Sequence, residues 1–484
     1  MRRALLFVHR WLGVALCLLF LIWFPSGIGM MYWGYPEVTD ADRLARGIDL
    51  DPAAIRILPT DIFATAGLAG APRDIRLSSY DGRPVYRYTD EEGETVWFAD
   101  SGDQHVEVSD AQVRRVAAAW AGQPAEQAIE TRLSEVDQWT LQLPFRALQP
   151  LVKFRWPSGD EVYVSSVTGD VVQHTTRGSR LGAWVGPITH WFYFTPLRKH
   201  GRTWSRVVIW TSAVGVFTTI VGLVLGAWFF LPRRRIPYAG QRWKWWHMLL
   251  GLLFGIATVT WGFSGWLSMD PVEALSGSAA RRSTAAAAVP LALQKPPQMA
   301  GFFAKDPRAA LAELRGLPVR ELVMTTLDGE SAYLATLAGG DTRLVPVNGT
   351  PRASYSEEAL RALIGRAAPG STITMIDGYD AYYLDRRGDR PLPVLRVDIN
   401  DEAGTRYYVD PKTATIVGSY GSGRWVNRWL YHALHSLDFP WLYQTRPLWD
   451  IVVIGFMLGG TALSLTSLIL AWRVLGRGLA RRSA

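Results

Sequence analysis

Four stretches of this chain, 11–33, 207–231, 245–269 and 451–472, contain no Asp, Glu, Lys or Arg. Each is long enough to cross a bilayer, which takes about 20 residues of helix. No water is available there for a free N–H or C=O, so such stretches can only be helices. The first follows Met1-Arg2-Arg3 in the manner of a secretory signal. Its apolar run is far longer than a signal's, and no small-residue cleavage site follows it, so it reads as a retained helix. The fold class is therefore an α-helical integral membrane protein with four transmembrane helices.

The charge follows from that division. The chain carries 51 basic and 43 acidic residues, a net +8. Residues 1–10, the loop 232–244 and the tail 473–484 hold twelve Arg and Lys and no Asp or Glu. The positive-inside rule places these pieces, and both termini, on the cytoplasmic side. The long segments 34–203 and 270–450 then lie outside, with 18 basic against 23 acidic residues and 20 against 20. The excess charge reports orientation, and nucleic-acid binding loses its motivation. One cysteine, Cys17, excludes an internal disulfide framework, a Cys-rich zinc site and an iron–sulfur cluster; it reads as an apolar filler.

The sequence also repeats itself. His9-x-x-Leu12-Gly13, Trp23 and Ser26-Gly27 recur as His247-x-x-Leu250-Gly251, Trp261 and Ser264-Gly265, at a constant offset of 238. His190, Phe194 and Trp204-x-x-Val-Val-Ile recur as His435, Phe439 and Trp449-x-x-Val-Val-Ile, at an offset of 245. Span, outer domain and span are thus written twice in the same direction, which predicts an internal two-fold axis along the membrane normal. The domains expected are a first span (1–33), a first outer domain ending in an interfacial helix (34–203), a second span (204–231), a cytoplasmic loop (232–244), a third span (245–269), a second outer domain (270–450), a fourth span (451–472) and a cytoplasmic tail (473–484). Alternating residues in 83–106, 151–172, 322–347 and 393–417 predict hairpins, and Ser109-Asp110 and Ser356-Glu357 predict helix starts, so both outer domains read as α+β. The Ala/Ser/Pro-rich piece 276–298 reads as a mobile linker.

Ionisable groups at membrane spans are functional by default. His9 and His247 head the first and third spans, and a two-fold axis brings them face to face. At about 100° per residue, Gly13 lies about 40° from His9, Trp23 about −40° and Gly27 at about 0°. Gly251, Trp261 and Gly265 stand likewise to His247, leaving room for a flat apolar object between the helices. His190 and His435 form a second pair on the outer side, before Pro196 and Pro440. Two facing pairs are the arrangement expected for two bis-histidine haems, and with no Cys-x-x-Cys-His they are non-covalent and b-type. His432 competes with His435; its counterpart is Pro187, which favours His435. His105, His174 and His200 read as ordinary surface histidines. Trp23, Trp204, Trp261 and Trp449 read as packing or interfacial residues.

The motifs His9-Arg10-Trp11-Leu12-Gly13 with Ser26-Gly27, His247-Met248-Leu249-Leu250-Gly251 with Ser264-Gly265, and 434–440 (LHSLDFP) resemble those of the PepSY-associated transmembrane proteins, the iron-regulated membrane proteins. The strand 406–413 resembles a PepSY hairpin, and the resemblance covers nearly the whole chain. The chain departs from the family pattern in having Ser-Gly where Thr-Gly is usual, and Trp191 where Arg is commoner. The resemblance implies a bacterial inner-membrane protein with periplasmic PepSY-like domains. It is similar to di-haem siderophore-iron reductases, with His9 and His247 on the inner haem and His190 and His435 on the outer one. The expected activity is that of a haem-dependent oxidoreductase. A cytoplasmic or quinol donor supplies electrons, and a periplasmic acceptor, a ferric siderophore, docks between the outer domains; 379–387 is a candidate contact, though it reads first as a solvated surface. The rival readings are a non-redox membrane protein that regulates periplasmic peptidases and one that binds iron complexes for uptake.

Overall fold

The computed structural model describes residues 1–65, 72–142, 144–232, 234–271 and 283–480. Four helices in it are long and apolar enough to cross a membrane: Arg2–Tyr32, Gly201–Phe230, Arg242–Leu267 and Leu448–Gly476. Each extends past its uncharged stretch, because polar and basic residues at the ends still satisfy the helical backbone. The first packs against the second and fourth, and the third against the second and fourth. The bundle is therefore a closed ring in which the first and third helices are diagonal partners. Of the basic residues used to orient the chain, Arg233, Arg481 and Arg482 lie outside the described residues.

The segments between spans are α+β. In the first, β1 (Asp74–Tyr80), β2 (Arg83–Thr89) and β3 (Glu94–Phe98) precede a helix, Asp110–Ala121, whose start is capped by the Ser109 side chain. A second sheet follows: β4 (Ile129–Leu133), β5 (Leu151–Arg155), β6 (Glu161–Ser165) and β7 (Val171–Thr175). The second segment has β8 (Val319–Leu327), β9 (Glu330–Leu337) and β10 (Thr342–Pro346), then the Ser356-capped helix Glu357–Ala367. It ends with a sheet of β11 (Thr372–Ile376), β12 (Val394–Asp398), β13 (Arg406–Asp410) and β14 (Thr415–Tyr420). The predicted hairpins and helix starts fall within these elements. The alternating pattern missed β1, β4 and β11, which are short or carry few apolar residues.

The two segments are not separate bodies. Strand β1 pairs antiparallel with β8, Ile75 opposite Met324, Arg76 opposite Val323 and Leu77 opposite Leu322. One six-stranded sheet therefore runs β10-β9-β8-β1-β2-β3. A common core lies on it, joining Leu50, Ile75 and Tyr86 from one segment to Phe302, Leu322 and Tyr333 from the other. Each large buried apolar side chain there contributes roughly 1.5–3 kcal/mol. An acceptor seated between two separable domains, as the sequence suggests, would meet this continuous sheet instead.

Strand β6 is buried on both faces. Val162 and Val164 pack with Val113 and Ala117 of the capped helix. Tyr163 and Leu151 face the other way, onto Ala183 and Ile188 of the helix carrying His190. The sheet thus sets the height and tilt of that helix.

The expected linker 276–298 is corrected in part. Residues 276–282 lie outside the described residues, but Thr284–Ala292 is a helix whose Ala286 and Val289 are fully buried against the Glu357–Ala367 helix and β13. Its alanines read as low complexity, yet small side chains are what allow it to sit this close.

Candidate functional site

Four histidines meet in two pairs, one at each end of the bundle. At the end near the sheets, a helix spanning 177–190 carries His190 and a helical stretch spanning 426–436 carries His435. Both contain a π-helical section, Trp184–Ile188 and Val426–Ala433. Both stop two residues after the histidine at a left-handed residue, Phe192 (φ 55°) and Leu437 (φ 50°). Indole N–H groups fasten each stop. Trp204 Nε1 donates to the Trp191 carbonyl at 2.7 Å, and Trp449 Nε1 donates to the Ser436 carbonyl at 2.9 Å. The first span also crosses the His190 helix at Gly29 and Gly186. A Cβ on Gly29 would stand 2.9 Å from the Gly186 Cα and from the Val185 carbonyl oxygen.

The His190 and His435 rings face each other with centres 6.0 Å apart, inclined at 70°. At the far end, the His9 and His247 rings lie 6.2 Å apart at 44°. An imidazole nitrogen sits about 2.0 Å from a bound metal and about 1.1 Å from its own ring centre, so two imidazoles on opposite sides of one metal place their centres about 6.2 Å apart. Both pairs have that spacing. Among the described residues no group of three or more His, Cys, Asp or Glu side chains could hold a metal ion.

The protonation of each ring follows from its neighbours. Ser26 has one hydroxyl proton and donates it to the Trp23 carbonyl at 3.0 Å. Toward His190 Nδ1, at 3.1 Å, it can therefore only accept. Ser264 does the same, donating to the Trp261 carbonyl at 3.1 Å and accepting from His435 Nδ1 at 3.0 Å. His9 Nδ1 faces the Thr218 carbonyl at 3.1 Å, which only accepts. His247 Nδ1 faces the Thr466 and Ser467 hydroxyls at 3.1 and 3.3 Å, and both already donate to the Leu463 carbonyl. All four rings thus carry their proton on Nδ1 and keep a lone pair on Nε2. That is the state of a metal-ligating histidine oriented by its neighbours. Burial pushes His190 down to about 3 and His435 down to about 4, so both are neutral at ordinary pH.

The glycines named from sequence are placed differently from one another. Gly27 and Gly265 lie against the outer rings, where an added Cβ would be 3.7 Å from His190 Cε1 and 3.5 Å from His435 Cε1. A Cβ on Gly13 would meet nothing within 4 Å, and one on Gly251 only Leu463 at 3.9 Å. Neither glycine is crowded by a neighbouring helix. His432 is not in either pair; it packs on Tyr431, at 4.5 Å between ring centres. His200 is exposed as expected, but His105 and His174 are half-buried, each with its Nε2 enclosed and unbonded.

Sequence reasoning missed the partners. Ser26 and Ser264 stood out in the repeated motif, but their targets lie 164 and 171 residues away. Thr218 and Gly222 went unnoticed, although Thr218, Gly222 and Gly226 form a small-residue stripe at four-residue spacing, the pattern of close helix approach. Gly222 does admit His9: a Cβ there would be 2.6 Å from His9 Cε1.

Between the pairs the bundle is aromatic. Phe20, Phe24, Trp261, Phe456 and Phe254 follow one another with ring centres 6.0–6.3 Å apart. From His9 to Ser26, and from His247 to Ser264, is 17 residues, or about 25 Å of helix. No protein-family model matches the sequence, and no curated protein matches it.

Proposed function

We propose that this chain carries electrons across a membrane, from a cytoplasmic or quinol donor to an acceptor on the sheet side, through two b-type haems. The acceptor in this reading is a ferric siderophore. The observation that carries it is the pair of histidine pairs, each at the spacing of two imidazoles on one metal and each with both Nε2 lone pairs free. The reading takes the chain as one unit written twice, with a two-fold axis along the membrane normal. The matching left-handed stops at Phe192 and Leu437 and the matching Trp204 and Trp449 bonds support that repeat. It also places the termini in the cytoplasm and the two PepSY-like segments in the periplasm of a bacterial inner membrane, as the basic residues suggest.

When bound, the haems supply reversible one-electron chemistry. His9 and His247 would hold one, and His190 and His435 the other. Ser26, Ser264, Thr466, Ser467 and the Thr218 carbonyl hold the Nδ1 protons, keep each ring in its tautomer and fix its plane. Gly13 and Gly251 would lie next to the first group, and Gly27 and Gly265 lie in van der Waals reach of the second pair of rings. The aromatic interior excludes water and ions, so an electron crosses while the charge barrier of the bilayer is kept. At the acceptor one electron converts Fe(III) to Fe(II), which hard oxygen chelators hold far more weakly, and no side chain needs to transfer a proton.

The test is the absorption spectrum of the purified full-length protein. A dithionite-reducible b-type spectrum with about two haems per chain is expected, falling to about one in His190→Ala or His435→Ala. A protein without haem refutes the reading. Failure of every ferric chelate to oxidise the reduced haems would remove the siderophore alone.

A further inference from the structure

The two halves of the repeat enclose the His190–His435 pair unequally. Behind His190 the chain is closed, because Gly186, Pro187 and Ile188 are all buried. The first span crosses them so closely that a Cβ on Gly186 would stand 3.0 Å from the Gly29 carbonyl carbon. Among the described residues the His190 ring meets no aromatic ring except that of His435. At the repeat offset of 245, Tyr431 and His432 stand in place of Gly186 and Pro187. There the rings continue outward. The Tyr431 ring packs on His435 with centres 5.4 Å apart, and on His432 with centres 4.5 Å apart at 36°. His190, His435, Tyr431 and His432 are thus successive rings, at 6.0, 5.4 and 4.5 Å.

The last ring in this series is half-buried and faces outward. Neither nitrogen of His432 has a hydrogen-bond partner among the described residues. Neither is sealed in the interior, as Nε2 of His105 and Nε2 of His174 are. An imidazole so placed offers a ring face and an N–H donor to a molecule arriving from solution. The first half has nothing equivalent, since Pro187 carries no donor and lies under the first span.

We propose that the Tyr431–His432 stack is the exit of the sheet-side pair: the acceptor docks against His432, and the electron reaches it from His435 through Tyr431. The inference rests on the conduit reading and adds to it the face on which the acceptor is met. One electron, furnished by the donor of that reading, passes to the iron of the chelate, and Fe(III) becomes Fe(II). No bond to either ring forms or breaks, no proton moves, and neither ring is left oxidised. His432 touches the acceptor; Tyr431 is a positioning residue, acting through its contact with His435.

The experiment uses full-length protein in detergent, as wild type, His432→Ala, Tyr431→Leu and Tyr431→Phe. Haem count and the two midpoint potentials are measured first. Calorimetry then gives the Kd for a gallium(III) trihydroxamate, which has the shape of the ferric chelate but accepts no electron. Last comes the rate at which saturating ferric trihydroxamate reoxidises the reduced protein. All four proteins should hold two haems at unshifted potentials. In His432→Ala the gallium Kd should rise about fivefold, the loss of one neutral hydrogen bond. Tyr431→Leu should leave that Kd alone and slow reoxidation at saturation, while Tyr431→Phe, which keeps the ring, restores the wild-type rate. An unchanged Kd in His432→Ala, an unchanged rate in Tyr431→Leu, or a wild type that does not bind the gallium chelate overturns the inference and leaves the conduit standing. Loss of a haem in either variant overturns it too, because the residue would then hold the site and not its exit. A wild type without haem overturns both.

Discussion

Gly222→Ala tests the His9–His247 site through a single methyl group. The added Cβ would stand 2.6 Å from His9 Cε1, 3.2 Å from Nδ1 and 3.3 Å from Nε2. Carbon atoms rest at about 3.5 Å or more, so the ring must retreat by about 0.9 Å. It cannot do so freely, because Nδ1 is bonded to the Thr218 carbonyl at 3.1 Å and His247 lies on the other side. A retreat of that size stretches the Nδ1 bond to about 4 Å and loses about 1 kcal/mol. It also exceeds by several-fold the roughly 0.2 Å within which a metal site holds its ligand distances. The whole protein should lose only about 1–3 kcal/mol, the usual cost of one misplaced methyl. The expected result is a folded protein with about one haem per chain in place of two, read from pyridine haemochrome absorbance and compared with His9→Ala. Two haems with an unaltered low-spin spectrum in Gly222→Ala would refute the argument that Gly222 admits the His9 ligand.

Asp438→Ala leaves the buried Arg428 guanidinium without its carboxylate partner at 2.7 Å and should cost about 3–5 kcal/mol, seen as a large drop in the thermal midpoint. Gly29→Ala forces the first span off the His190 helix backbone. It should destabilise by about 1–3 kcal/mol and disturb the His190–His435 spectrum while leaving the other pair intact. Burial pushes the Lys295 ammonium down to about 8, against about 10.4 when unfolded. Between those values the unfolded chain binds more protons, so stability should rise from about pH 8 to about pH 10 and stay flat below 8. Lys295→Met should abolish that slope, as followed by thermal unfolding at pH 7, 8.5 and 9.5.

The spans were legible because lipid imposes one rule on every residue of a long stretch, and hairpins such as β5–β6 announce themselves by alternation. The histidines were legible because they are polar groups in apolar surroundings. What holds them was not. Thr218 contributes a backbone carbonyl, which every residue has, and Ser264 finds a ring 171 residues away. The β1–β8 pairing was equally hidden. An interior strand such as β1, DIRLSSY, has little apolar content and declares its second partner only through three-dimensional register. The helix Thr284–Ala292 was misread because alanine is as suitable for close packing as for a linker.

The pairing of Arg76 with Val323 has a consequence in time. The two residues are 247 positions apart, with two spans between them. At about 5–20 residues per second of synthesis, β1 waits roughly 12–50 seconds for β8 to emerge. Throughout that wait it presents an unpaired strand edge, beside half of a core whose other half does not yet exist. Assembly of this chain is therefore paced by synthesis of its second half. The interval is the period in which aggregation, proteolysis or a chaperone can act on it.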